Sequence, residues 1–266
     1  MNRLVKIIFL FFISIVLSSC IFDDDEEEKW DAAKVCPETG TNAYGMPNRG
    51  TFTDERDGQV YKYTTIGKQV WMAENLRFEV PYPYSQCYGM EYCSPQKRFL
   101  TDTATICFKD TARLANIAQR MQSTCTDNDC IAEEYCKKFG RYYSLYEGGG
   151  GHGLLDRVLV DSICPKGWHV PSKDEIDVLL GEVKKDPARL VSSDTNCGDF
   201  GYSKSVVTYG VDACGFDACD YRYGKITFFS KTSRNDYYAY DLAMNGIWYN
   251  TNGGGMEQKT IRCIKD

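Results

Sequence analysis

Apolar and polar residues follow several different patterns along this chain, and each predicts a different element. Ile7-Ile8-Phe9-Leu10-Phe11-Phe12-Ile13-Ser14-Ile15-Val16-Leu17 is almost unbroken apolar sequence behind two basic residues, Arg3 and Lys6. The run is shorter than an ordinary membrane span and closes on the small residues Ser18-Ser19, the layout of a secretory signal over residues 1–19. A helical period then occurs twice. Leu114, Ile117, Ala118 and Met121 form one stripe, and Ile176, Leu179, Leu180 and Val183 form another. Ser172 and Glu175 stand ahead of the second as a capping box. Strand signals dominate elsewhere. Gln59–Ile66, rich in Val, Tyr and Thr, lies between the turns Asp57-Gly58 and Gly67-Lys68, and with Gln69-Val70-Trp71-Met72 predicts a β-hairpin. Lys225–Phe229, Tyr237–Leu242, Ile247–Tyr249 and Lys259–Lys265 read as short strands divided by Asn-Gly turns. Residues 30–50 carry turn formers and read as a loop-rich lead-in.

Cys20 follows the small residues directly, and Leu17-Ser18-Ser19-Cys20 resembles a bacterial lipobox, in which that Cys carries fatty acyl (palmitate-type) chains and heads the mature protein. The alternative is an ordinary signal peptide or signal anchor with Cys20 incidental. Asp23-Asp24-Asp25-Glu26-Glu27-Glu28 then repels itself and stays solvated, so residues 20–29 read as the lipidated Cys plus an acidic tether. Acids just behind a lipidated Cys resemble the export signal of surface-exposed lipoproteins in the Bacteroidetes–Fibrobacterota lineage. The expected location is the bacterial outer membrane, lipid-anchored and facing the exterior. Formal charge is −6 overall, and about −3 of it falls on residues 30–266. A body so close to neutral gives no footprint for nucleic acid.

The chain has 13 Cys, and setting Cys20 aside leaves an even set: Cys36, Cys87, Cys93, Cys107, Cys125, Cys130, Cys136, Cys164, Cys197, Cys214, Cys219 and Cys263. In an exported chain such a set is most simply a disulfide framework. Zinc would ask for C-x2-C pairs or clustered His, and only His152 and His169 are present, so no metal and no cofactor is expected. Residues 89–135 concentrate Cys around the first helical stripe and read as an inserted helical excursion pinned by its own bridges.

Several strings, taken in order, resemble the Fibrobacter succinogenes major paralogous domain, an exported family without an established activity. They are Thr53-Asp54-Glu55-Arg56-Asp57-Gly58-Gln59-Val60-Tyr61, Ile66-Gly67-Lys68-Gln69-Val70-Trp71-Met72-Ala73-Glu74-Asn75-Leu76, Cys87-Tyr88, Gly140-Arg141-Tyr142-Tyr143, Cys164-Pro165-Lys166-Gly167-Trp168-His169-Val170-Pro171-Ser172 and Ile261-Arg262-Cys263-Ile264-Lys265-Asp266. Phe228-Phe229-Ser230 stands where that family usually has Trp-Ser-Ser, and this chain carries additional Cys. A domain with this layout resembles the C-type-lectin-like fold: α+β, with a small twisted antiparallel sheet flanked by helices. That resemblance implies a single domain over residues 30–266. It also implies bridges from Cys164 to Cys263 and from Cys87 to Cys136. Cys93, Cys107, Cys125 and Cys130 would pair among themselves, and Cys36 with one of Cys197, Cys214 and Cys219.

Chemistry is harder to find. Trp168-His169 invites a catalytic reading, yet a packed Trp and a hydrogen-bonded His ahead of a helix cap explain the pair as well. The glycine run Gly148-Gly149-Gly150-Gly151-His152-Gly153 lacks the Lys-Ser/Thr of a phosphate loop. Asp127-Asn128-Asp129 lacks the Gly and distal Glu of a calcium loop, and Trp248-Tyr249-Asn250 only partly resembles the strand of a sugar-binding lectin. No catalytic set emerges, so a non-enzymatic role is expected. The aromatic content, with 19 Tyr, 13 Phe and 4 Trp, offers stacking surfaces for sugars or protein partners. Tyr142, Tyr143, Tyr146, Tyr221, Tyr223, Tyr237, Tyr238, Tyr240 and Tyr249 crowd the C-terminal half. The expected function is a binding or adhesion module, with polysaccharide as one ligand class. The alternatives are an assembly partner of other envelope proteins and, behind that, an enzyme.

Overall fold

The computed structural model describes residues 29–80, 85–87, 92–95, 105–108, 111–143, 162–194, 210–219, 225–231, 237–243, 246–250 and 260–266. The leader run, Cys20, the acidic tether, the glycine run and Cys197 lie outside them. Ala32–Asp266 forms one compact unit, and among the described residues no helix is long and apolar enough to cross a membrane.

The unit is α+β and is organised around a five-stranded antiparallel sheet. Its strands are β1 (Arg49–Thr53), β2 (Val60–Ile66), β3 (Gln69–Met72), β8 (Trp168–His169) and β12 (Ile264–Lys265), in the order β1-β2-β3-β12-β8. The expected hairpin is β2–β3, with Gly67 at φ +57° in its turn, where a side chain would be strained. β1 was not expected, because Arg49-Gly50-Thr51-Phe52-Thr53 has one apolar residue and no alternation strong enough to show. It is held as an edge strand by its ladder to β2, with Phe52 opposite Tyr61. The strand expected over Lys259–Lys265 is regular only at Ile264–Lys265. Upstream, Ile261 and Cys263 spend their carbonyls on the Leu76 and Met72 amides at 2.8 and 2.9 Å, outside a continuous ladder.

Residues of alternate parity build the two faces of this sheet. Tyr61, Tyr63, Val70 and Met72 pack with Ile163, Cys164, Trp168, Val170, Ile261 and Cys263, and Phe52 stacks on Trp168 at 4.4 Å between centroids. On the opposite parity, Trp71 meets the Phe216 ring edge-on at 6.0 Å, and the Thr64 hydroxyl donates to the Cys214 carbonyl at 2.6 Å. The capping box delivers its helix: Lys173–Glu182, here α4, with Ile176, Leu179 and Leu180 buried. The Gln69 side-chain amide fastens α4 to β3 by donating to the Glu175 carbonyl at 2.9 Å.

The excursion begins and ends on a paired base. β4 (Ser85–Gln86) pairs with β7 (Tyr142–Tyr143), and the Cys87–Cys136 bridge closes the neck. It is less helical than expected, since β5 (Tyr92–Pro95) and β6 (Thr105–Phe108) form a hairpin ahead of α2 (Thr111–Met121) and α3 (Asn128–Phe139). Four-residue α1 (Ala32–Val35) precedes the sheet. Leu114 and Ile117 of α2 and Ile131, Ala132, Tyr135, Cys136 and Phe139 of α3 make a second hydrophobic cluster with Cys87, Tyr142 and Cys219. A further sheet joins β9 (Lys225–Lys231), β10 (Tyr237–Ala243) and β11 (Gly246–Asn250) in the order β11-β10-β9, with Phe228, Tyr240 and Tyr249 in one row of its register.

The disulfides are Cys36–Cys214, Cys87–Cys136, Cys125–Cys130 and Cys164–Cys263 among the described residues, and Cys219 is bonded as well. The family resemblance implied the second and fourth of these pairs. The other two fall within its remaining groups. In the chain-entropy picture a loop of about 100 residues, as for Cys164–Cys263, is worth roughly 4 to 5 kcal/mol, and a closure as short as Cys125–Cys130 about 2. Cys93 and Cys107 stand opposite each other in the β5–β6 register.

One junction joins these parts. Arg262 is 1% exposed; its Nε donates to Asn75 Oδ1 at 2.7 Å, and its Nη atoms donate to the carbonyls of Phe216 and, at 2.8 Å, Asp217. The Asn75 amide in turn donates to the Phe139 carbonyl at 2.8 Å, which docks the end of α3. Gly140 caps that helix at φ 87° and ψ 175°, a region that is essentially glycine-only. A β-carbon there would stand 2.4 Å from Asn75 Cβ and 3.1 Å from the Leu76 carbonyl. Gly140→Ala should therefore cost about 2 kcal/mol or more, from strain plus displacement of the Asn75 junction. Urea unfolding checks it, and a loss under about 0.5 kcal/mol, the size of an ordinary surface substitution, would show that the junction is not rigid.

Candidate functional site

Between the sheet and the excursion lies an open cleft of about 400 Å³, lined by Asp57, Gln59, Arg77, Phe78, Glu79, Cys87, Glu133, Cys136, Lys137 and Arg141. Hydrogen bonds and ring contacts organise its lining. Arg77 lies over the Tyr61 ring at 4.4 Å while its Nη2 donates to the Val60 carbonyl at 2.6 Å and its Nε to Gln59 Oε1 at 3.0 Å. The Tyr61 hydroxyl accepts from the Arg77 amide at 2.9 Å, and burial pushes its pKa up to about 12, so it stays a neutral phenol. Arg141 donates to Glu79 across the rim at 2.8 Å. Asp54, buried under the Asp57 turn, accepts from Arg56, whose guanidinium covers the Phe78 ring at 3.9 Å. Burial pulls the Asp54 carboxyl up, but the Arg56 hydrogen bonds outweigh it and leave the pKa lowered.

The opposite wall comes from α3. Glu133 and Lys137 are one turn apart, exposed, and without an ion pair among the described residues. The cleft therefore offers guanidinium, ammonium, amide and carboxylate groups beside one aromatic ring. Such a lining donates and accepts in both senses and carries no large net charge. It suits a polyhydroxylated ligand better than a strong anion.

His169 lies elsewhere and does not line the cleft. Its Nε2 is 2.9 Å from Glu175 Oε1 and its Nδ1 is 2.7 Å from Asp266 Oδ1. Glu175 in turn accepts from the Ser172 amide and hydroxyl, both at 2.7 Å. The Ser172 hydroxyl is thus committed to the carboxylate rather than to the imidazole. The two carboxylates sit on opposite ring nitrogens and do not converge on one point. No group of His, Cys, Asp or Glu able to hold a metal ion is found among the described residues.

The other sequence candidates fall as follows. Tyr142 and Tyr143, grouped with the aromatics offered for stacking, are 2% and 0% exposed and belong to the interior. Tyr237, Tyr238, Tyr240, Trp248, Tyr249 and Asn250 lie on β10 and β11, while Tyr146, Tyr221 and Tyr223 fall outside the described residues. Asp127 is the N-cap of α3, accepting from the Cys130 amide at 2.9 Å, which explains the local Asp cluster without calcium. Sequence reading missed the cleft entirely, because Arg77, Glu133 and Arg141 share no local motif.

A family model, that of the Fibrobacter succinogenes major domain, matches residues 64–265. The chain belongs to that family. No curated protein and no solved structure matches it. The strings that mark this major domain are mostly structural in this chain. Trp71 and Asn75 anchor the junction with Arg262, Cys164 and Cys263 form a bridge, and His169 and Ser172 lead into α4.

The His169 clamp titrates in a defined direction. The hydrogen bond to Glu175 raises the His169 pKa above 6.5, burial opposes this, and Asp266 adds to the rise. Glu175 is pulled up by burial but brought down to about 2 by His169 and Ser172. The His169 contribution is fully present below its unfolded value near 6.5 and is lost as pH rises through the higher folded value. The Glu175 contribution is present above 4.5 and is lost as pH falls toward 2. Urea midpoints measured from pH 5 to pH 9 should decline on the alkaline side for the parent chain. In His169→Gln that limb should be flatter; equal slopes would mean that the clamp contributes nothing.

Proposed function

We propose that this chain is a lipid-anchored, cell-surface binding module without catalytic activity, holding a polyhydroxylated ligand such as a polysaccharide segment in the cleft between its sheet and its excursion. The observation that carries the reading is the cleft itself. Hydrogen bonds and the Tyr61 ring fix Arg77 and Gln59 on one wall, while Glu133 and Lys137 stand on the other without an ion pair among the described residues. The leader run, Cys20 and the acidic tether support a location outside the cell. A C-type-lectin-like arrangement is consistent with β1 and β12 meeting in one small antiparallel sheet, though fold analogy supplies no function by itself. His169 held between two carboxylates, with the Ser172 hydroxyl donating to Glu175, favours a structural role over proton shuttling.

The assembly reading, in which the excursion docks another envelope protein, draws on the excursion's having a buried core of its own beside that of the main sheet. The two readings part in one experiment. The 32–266 unit is applied to a glycan array and to insoluble cellulose, beside Glu133→Ala and Lys137→Ala variants. Both substitutions lie on exposed helix positions and should leave the melting temperature within a few degrees. Binding that falls about tenfold in either variant supports the cleft, since a lost charged hydrogen bond costs roughly 1.5 kcal/mol. Silence on both supports discards the polysaccharide reading in favour of a protein partner.

A further inference from the structure

The described disulfides divide into two kinds. Cys36–Cys214, Cys87–Cys136 and Cys164–Cys263 close long separations of 178, 49 and 99 residues, and every one of their cysteines is buried. Cys125–Cys130 spans a separation of 5. Cys130 is exposed and Cys125 is only partly covered. Thiol–disulfide exchange needs a thiolate to reach one sulfur along the S–S axis, so access separates this bridge from the other three, including Cys87–Cys136, whose residues border the cleft but are only 1% and 6% exposed.

The surrounding turn does not depend on the bridge. The Ser123 hydroxyl donates to Glu134 and accepts from the Cys125 amide at 3.1 Å. Asp127 caps α3 through the Cys130 amide, and Leu114, Ile117, Ile131, Ala132 and Tyr135 pack α2 against α3 below it. The helices have their own reasons to stay together, and Cys87–Cys136 holds the far end of α3. A bond that is open to solvent, closes a short loop and is backed by independent contacts is placed to break and re-form without unfolding the domain.

We propose that Cys125–Cys130 is a thiol-exchange site, accepting a small-molecule thiol of the glutathione class, while the three buried bridges serve as permanent staples. The thiolate of the incoming molecule attacks one sulfur of the pair. The S–S bond breaks, a mixed disulfide forms, and the other cysteine leaves as a thiolate that takes up a proton. A second thiol molecule attacks the mixed disulfide. The products are Cys125 and Cys130 as thiols and one disulfide of the small thiol, so two electrons pass from the thiols to the bridge. The reverse sequence restores it. The site stands at the start of α3, the helix that contributes Glu133 and Lys137 to the cleft, which makes the excursion the part of the domain able to carry a covalent adduct.

The test uses the full chain under non-denaturing conditions with graded reduced glutathione, acid quenching, alkylation and peptide mapping. Cys125 and Cys130 should become alkylated or glutathionylated at a dose at least about tenfold below that for Cys36, Cys87, Cys136, Cys164, Cys214 or Cys263. Reaction of any of those six at the same or a lower dose overturns the proposal. A Cys125→Ser, Cys130→Ser double variant supplies an independent check. It should keep its circular dichroism and melt no more than about 4 to 8 °C below the parent, as closure of so short a loop implies, whereas a larger collapse in melting temperature would make the bridge a staple and overturn the proposal.

Discussion

A positive charge with almost no contact with water sits where the segments of this domain meet. Arg262 donates to Asn75, to the Phe216 carbonyl and to the Asp217 carbonyl, and its guanidinium lies over the Phe216 ring at 4.5 Å. Burial lowers its pKa to about 10, with Asp217, Asp212 and Glu74 acting the other way. The same burial raises Asp212 to about 6. The charge is nevertheless kept, because three oxygens in fixed positions accept from it. Removing them singly would leave a buried donor unmatched, which costs far more than the bond itself contributes. The position of 216–217 over Trp71, the docking of α3 through Asn75 and the path of the last strand therefore depend on one side chain.

The disulfides act on the same frame from a different direction. Cys36–Cys214 brings the lead-in against the segment that Arg262 grips, and Cys164–Cys263 attaches the approach to β8 beside β12. β8 and β12 are two-residue strands, too short to hold a sheet together by ladder bonds alone. Covalent closure, Trp168 packed beneath Phe52 and the Arg262 junction compensate for that brevity. The apolar interior and the bridges are complementary. The sheet is small, and each device covers a place where its neighbours are weak.

What the sequence made legible followed from how local the cause was. The capping box at Ser172 and Glu175, the stripe from Leu114 to Met121 and the Gly67-Lys68 turn all act within a few residues, and each element formed where its pattern lies. β1 was hidden because its pairing energy comes from β2 and its residues carry little apolar signal. Helix α3 has its period in Ile131, Ala132, Tyr135, Cys136 and Phe139, but Asp127-Asn128-Asp129 resembles a calcium loop locally, and its role as a cap shows only once the Cys130 amide is in place. The family strings pointed to two of the three bridges that join distant segments, Cys87–Cys136 and Cys164–Cys263, and left Cys36–Cys214 within a larger group, since no spacing argument reaches it. Tyr142 and Tyr143 show the opposite limit. Their aromaticity suggested a surface, while their position on the paired base of the excursion buries both.

The cleft belongs to neither half alone. Gln59 and Arg77 are set by the sheet, through Val60 and Tyr61. Glu133 and Lys137 reach the other wall only because Asn75 and Gly140 dock the end of α3 and Cys87–Cys136 locks its last turns. The geometry of the site is therefore set by the junction that stabilises the fold, and its chemistry by the exposed face of an inserted helix. A helix face can exchange charges at a cost of a few tenths of a kcal/mol, whereas the Asn75 and Arg262 contacts cannot be altered so lightly. On those energetics, substitutions that alter the charge of the cleft should be tolerated on α3 first and at the sheet wall last.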